Sequence, residues 1–180
     1  LDQSRRYRQL RHWGKIFIGH RKDNNEMKLL LENWKKYLKE GLVKFSGILK
    51  LMPDEDIIQE LRNISAALPP EAVPLPEDKW HVTLAHQSVL KPYKKQLKAM
   101  GKADEIPSGP QPTLIHEIEE RADDELGRKS WVVWLENQDE MKGYVNQIME
   151  MVGGPMDPEP GRRFHISLAN LTGNPGDSVR

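Results

Sequence analysis

The chain is expected to fold as an α+β protein built as two paired lobes of sheet, with helices packed on the sheet and some sheet face left open. Three observations predict this. Segments of helical and strand periodicity alternate from about residue 44 to the C-terminus. Two proline-rich runs, PPEAVPLPED at 69–78 and GGPMDPEPG at 153–161, each interrupt the chain just before a strand. Those two strands then repeat one six-residue pattern, WHVTLA at 80–85 and FHISLA at 164–169. The copies stand 84 positions apart (81 to 165), too far for a solenoid repeat, so two related lobes explain the likeness better than an array.

A length of 180 residues suits one domain with a short appendage. Lys+Arg and Asp+Glu are each 27, and this neutral balance excludes a uniformly basic nucleic-acid coat. The charges are unevenly spread, with a basic excess in residues 1–41 and a matching acidic excess in 42–180. The first 22 residues read as a basic arm. From Asp23 or Asn24, which can cap a helix, Met27, Leu30, Leu31, Trp34 and Leu38 recur at three- and four-residue steps until Gly41. The expected division is therefore an arm and amphipathic helix at 1–41 and a body at 42–180. This arm is expected to dock on the acidic body, to bind RNA, or to bind another acidic partner. With no cysteine, disulfides, thiolate zinc sites and cysteine nucleophiles are excluded. No run approaches the ~18 apolar residues of a membrane span, and a cytoplasmic monomer is the expectation.

Along the body, KFSGILKLMP at 44–53 reads as a strand and DEDIIQELRNISAAL at 54–68 as a helix with acidic residues in its first turn. KWHVTLAHQ is a strand, PYKKQLKAM at 92–100 a short basic helix, and IPSGPQP at 106–112 a loop. TLIHEIEERADD and KSWVVWLEN, separated by ELGR, form a hairpin. A helix over 138–152 follows, with Met141, Tyr144, Val145, Ile148, Met149 and Val152 on one stripe, and RRFHISLANLTG closes the body as a strand. The predicted order is β-α-β-α-β-β-α-β.

Strand alternation puts Trp80, Val82, Leu84 and His86 on one side and His81, Thr83 and Ala85 on the other. It likewise separates Phe164, Ile166, Leu168 and Asn170 from His165, Ser167 and Ala169. Each copy thus buries its aromatic and aliphatic residues and presents an imidazole, a hydroxyl two residues on, and an alanine that leaves room. Imidazole has an ordinary pKa near 6.5, so two of them can be held in opposite protonation states at neutral pH, one removing a proton and one giving it. Thr83 and Ser167 can donate hydrogen bonds where negative charge develops. The pattern is poor for zinc: there is no H-E-x-x-H, no Cys, and no Asp or Glu two or four positions after either His. Neither Ser167 nor Ser108 sits in a G-x-S-x-G elbow.

The tetrapeptides HVTL and HISL resemble the paired H-x-[T/S]-h signature of the 2H phosphoesterase superfamily, and the likeness in element order runs from about residue 44 to 173. The resemblance implies two pseudo-symmetric lobes of antiparallel sheet with outer helices around a central cleft. It also implies metal-independent, cofactor-free cleavage of 2′,3′-cyclic phosphates or 3′-5′ linkages in nucleotides or RNA, carried by His81, Thr83, His165 and Ser167. The competing expectation is a non-catalytic RNA- or nucleotide-binding module with the same cleft. Around the site, Lys50 and Phe45 on the first strand, Arg163 beside the second His, and one of Trp131 and Trp134 are expected to border the substrate. The two tryptophans lie an odd number of residues apart, so one faces the core and the other is available to stack on a base. Arg162 can reach a phosphate or lie on the surface. Lys91, Lys94, Lys95 and Lys98 read as a solvated face, His86 and His116 as structural, and His12 and His20 as solvated parts of the arm.

Overall fold

Val43, Phe45, Leu49 and Leu51 all fall on odd positions, so the sequence pattern runs unbroken through Gly47 and suggests one strand. The computed structural model, which describes residues 41–179, instead folds this segment as a hairpin. Strand β1 (Leu42–Phe45) turns back at 46–48 into β2 (Leu49–Met52). Gly47 makes the turn with φ 96°, where a side chain is strained. The turn preserves the alternation, which is why periodicity alone hides it. Of the expected arm and helix at 1–41, residues 1–40 lie outside the described residues.

Helix α1 (Glu55–Ser65) starts where Asp54 accepts a hydrogen bond from the Ile57 amide at 2.9 Å, with Glu55 and Asp56 in the first turn. The proline-rich run that follows supplies β3 (Val73–Pro74), two residues laid against the last strand, where Pro74 is tolerated because its strand has a single partner. A 3₁₀ turn at Glu77–Lys79 then leads into β4 (Val82–Ala85). After α2 (Gln87–Leu90) and α3 (Lys94–Ala103), β5 (Leu114–Asp123) and β6 (Arg128–Leu135) form the expected hairpin. Helix α4 (Gln138–Met151) buries Met141, Tyr144, Val145, Ile148 and Met149, the stripe its period predicts. The second copy forms β7 (His165–Asn170).

The strands make one antiparallel sheet in the order β1-β2-β4-β7-β6-β5, with β3 alongside β7, so the class is α+β. From either edge the order is a hairpin followed by a motif strand, and the two motif strands meet in the middle. The core gathers Leu61, Leu90, Leu97, Met141 and Ile148 from the helices against Leu51, Val82, Leu84, Val133, Ile166 and Leu168 from the sheet, all fully buried. These strand residues share one face, which the helices cover, and the imidazoles lie on the other. Among the described residues no helix is long and apolar enough to cross a membrane.

Both motif strands break register just past the hydroxyl. Against β2, the pairing steps from Lys50↔Thr83 to Leu49↔Ala85, so Leu84 is an extra residue in β4. Against β6, it steps from Val132↔Ser167 to Trp131↔Ala169, so Leu168 is the extra residue in β7. A bulge shifts alternation by one. Ala85 and Ala169 are therefore fully buried on the side of Leu49 and Trp131 and make no room beside the imidazoles, contrary to the simple alternation. Asn170 is likewise moved off the core side: it pairs with Ser130, and its amide donates to the Asn174 carbonyl at 2.6 Å.

Candidate functional site

Val82 pairs directly with Ile166, and these are equivalent positions of the two hexapeptides. Antiparallel register then sets His81 across from Ser167 and Thr83 across from His165, so the imidazoles occupy opposite corners of a four-residue patch. Diagonal neighbours of this kind lie about 7–8 Å apart at the backbone, a span that one tetrahedral phosphate can bridge. The remaining motif residues hold the patch from beneath, since Trp80 and Phe164 are buried and Val82, Leu84, Ile166 and Leu168 are inaccessible to solvent.

His81 Nδ1 lies 2.5 Å from the Lys79 carbonyl. A carbonyl can only accept, so Nδ1 carries the hydrogen and Nε2 is left as the working nitrogen. Burial lowers the His81 pKa, opposed by this hydrogen bond, and the nearby Lys50 ammonium lowers it further. His165 stands edge-on to Trp134, with ring centres 5.1 Å apart, and its Nε2 lies 3.5 Å from Arg121 Nη1. Its pKa falls to about 4, first through burial and then through the Arg121 charge; the Arg163 carbonyl opposes this, and Arg162 and His86 add to it weakly. The Nδ1 atom of His165 is buried without a hydrogen bond of good geometry. Opposite protonation states at neutral pH are thus not the condition of the unliganded pair: both rings are pushed toward the neutral form. An anion bound between them would reverse that push, because opposite charge favours protonation.

Of the residues expected at the border, Lys50 pairs with Thr83 and so shares the imidazole face. Phe45 pairs with Leu49 and packs against the core, away from it. Trp134 pairs with His165 and is on the site face, but it is 9% exposed, covered by the Arg163 guanidinium 4.1 Å from its ring centre, with its Nε1 donating to Glu119 at 2.7 Å. It braces His165, and Arg163 holds the ring surface that a base would need. Trp131, on the opposite face by alternation along β6, is buried. The structure does not bring Trp131 or Phe45 to the imidazoles.

Arg121 was not among the residues expected from sequence. It reaches the site because β5 pairs with β6 in the register Glu119↔Val132 and Arg121↔Ser130, which puts both side chains on the imidazole face. The only sequence signal is its parity within the hairpin. Behind β4, Arg162 is mostly buried and donates to the Thr83 carbonyl at 2.6 Å and to Glu159 at 3.3 Å. His86 lies past the end of β4, where its ring and its amide meet the same Glu159 carboxylate. His116 pairs with Glu60 of α1. The four lysines at 91–98 are exposed and belong to the segment whose Leu97 enters the core. Cavities bordered by Leu84, Val145 and Arg162, and by Glu60, Ile64 and His116, lie away from the imidazoles, which stand on the sheet face itself. Among the described residues no three His, Asp or Glu side chains are grouped to hold a metal ion.

Comparison with protein-family models, with curated proteins and with solved structures finds no match to this chain.

Proposed function

We propose that residues 42–180 form a metal-independent phosphodiesterase of the two-histidine type, acting on a nucleotide or RNA 2′,3′-cyclic phosphate or 3′-5′ linkage. The observation that carries this reading is the Val82 to Ile166 pairing, which joins two H-x-[T/S] strands so that each imidazole neighbours the other's hydroxyl. In this reading the two halves of the sheet are pseudo-symmetric lobes and the substrate lies across their seam. The strand order, hairpin then motif strand from either edge, supports it. So do the bulges at Leu84 and Leu168, 84 positions apart like the motifs, since bulges recur beside active sites, where they aim side chains.

One imidazole takes a proton from the attacking water or ribose hydroxyl, and the other gives a proton to the departing ribose oxygen. Thr83 and Ser167 hold the non-bridging oxygens, where charge grows in the transition state. His81→Ala and His165→Ala, made separately, should each lower turnover of a 2′,3′-cyclic nucleotide, or of a 3′-5′ cyclic oligonucleotide, by about 10² to 10⁴ with EDTA present. Unchanged turnover in both would sink the reading. The neutral state of both rings in the free protein favours one alternative, a binding module. Tight nucleotide binding by the unmodified protein without product over hours would establish it.

A further inference from the structure

We propose that Arg121 of β5 is a further site residue that fixes the direction of proton flow, holding His165 as the base and leaving His81 as the acid, and that its guanidinium receives the substrate phosphate. This rests on the phosphodiesterase reading and deepens it.

The two motifs are alike, but their surroundings are not. His165 Nε2 faces a guanidinium nitrogen at 3.5 Å. Guanidinium has donors only and keeps its proton, so the imidazole nitrogen facing it must present a lone pair. The cation that bears on His81 is instead Lys50 of β2, an ammonium on a flexible stem that acts on the ring through its charge. Among the described residues, the charged groups around His165 from each neighbouring element are Arg121 and Glu119 of β5, Arg162 and Arg163 before β7, and His86 after β4. Glu119 accepts a hydrogen bond from the Trp134 indole. Lys50 and the Lys79 carbonyl are the groups that bear on His81.

When a phosphodiester arrives, Arg121 has a stronger partner than a neutral imidazole. A charge-assisted pair with a non-bridging oxygen draws it off Nε2, freeing that lone pair as the phosphate is seated. For a cyclic phosphate, His165 Nε2 then takes a proton from water as the water oxygen bonds to phosphorus. The bond from phosphorus to one ribose oxygen breaks, and that oxygen takes the proton from His81 Nε2. Water is added across the P–O bond, leaving His165 protonated and His81 neutral until solvent resets them. His81 gains its starting proton because the bound anion favours its charged form, while the Arg121 charge, paired to the same phosphate beside His165, keeps that ring neutral. The attacking oxygen therefore approaches from the β6 side and the leaving oxygen lies toward β2.

Two readouts test this. With a 2′-deoxynucleoside 3′-(p-nitrophenyl phosphate), in which water is the only nucleophile and the leaving group needs no proton, His81→Ala should recover to within about tenfold of the unmodified protein, while His165→Ala stays 10² to 10⁴ down. Separately, the His165 ring followed by NMR against pH should titrate near 4 in the unmodified protein and distinctly higher in Arg121→Gln, with Arg121→Lys in between. Rescue of His165→Ala, equal rescue of both variants, or an unmoved His165 titration in Arg121→Gln would overturn the assignment while leaving a phosphodiesterase. No turnover of any ester by the unmodified protein would bring down the reading beneath it.

Discussion

Acid should destabilise this protein through His165 in a way that a single substitution removes. In the folded chain burial and Arg121 hold the ring pKa at about 4, whereas an unfolded chain takes the proton at the ordinary 6.5. Below pH 6.5 the unfolded state therefore binds a proton that the folded state refuses. The stability present in full above about 6.5 is lost as pH falls toward 4. Carried to completion, the shift is worth about 3 kcal/mol at ~1.4 kcal/mol per unit, and about 2.5 kcal/mol is already lost at pH 4.5. Partial exposure of the ring trims this to about 1.5–2.5 kcal/mol. His165→Gln fills most of the space with a group that does not titrate, so it carries a packing penalty that is constant with pH. Urea unfolding of both proteins from pH 7.5 to 4.5 should show the stability gap between them shrinking by that amount. His81 and the carboxylates titrate alike in both proteins and cancel. Parallel curves across this range would refute the reasoning, because they would mean that His165 protonates as easily folded as unfolded.

Gly47→Ala should cost about 1–2 kcal/mol in urea unfolding through backbone strain alone, since φ is 96° and an added methyl would meet nothing within 4 Å. Arg162→Met should cost about 2–4 kcal/mol by leaving the Thr83 carbonyl without this donor and the Glu159 carboxylate with only His86 beside it among the described residues. Adding Glu159→Gln should return part of that loss, and the double-mutant cycle measures how much.

Much of the architecture was legible because it depends on local period. The stripe from Met141 to Met149 marks α4, and alternation from Trp80 to Leu84 and from Phe164 to Leu168 separates buried residues from the imidazoles and hydroxyls. What was missed depends on partners distant in sequence. The hairpin at Gly47 keeps the alternation of a single strand, so only the pairing of Leu42 with Met52 reveals it. The bulges that bury Ala85 and Ala169 appear only against β2 and β6. Phe45 and Trp134 were both plausible borders. Pairing with Leu49 sends the first to the core, and pairing with His165 keeps the second at the site, where Arg163 covers it.

By itself the sequence determined which chemical groups are present twice and which side of each strand they leave, because alternation is a property of the backbone of every strand. It could not determine that the two strands would be neighbours, that β5 would bring a guanidinium to one imidazole, or that both rings would be held neutral. Adjacency is fixed by hydrogen bonding between segments far apart in the chain, and a ring's proton affinity by the water it loses and the charges it meets once those segments are packed.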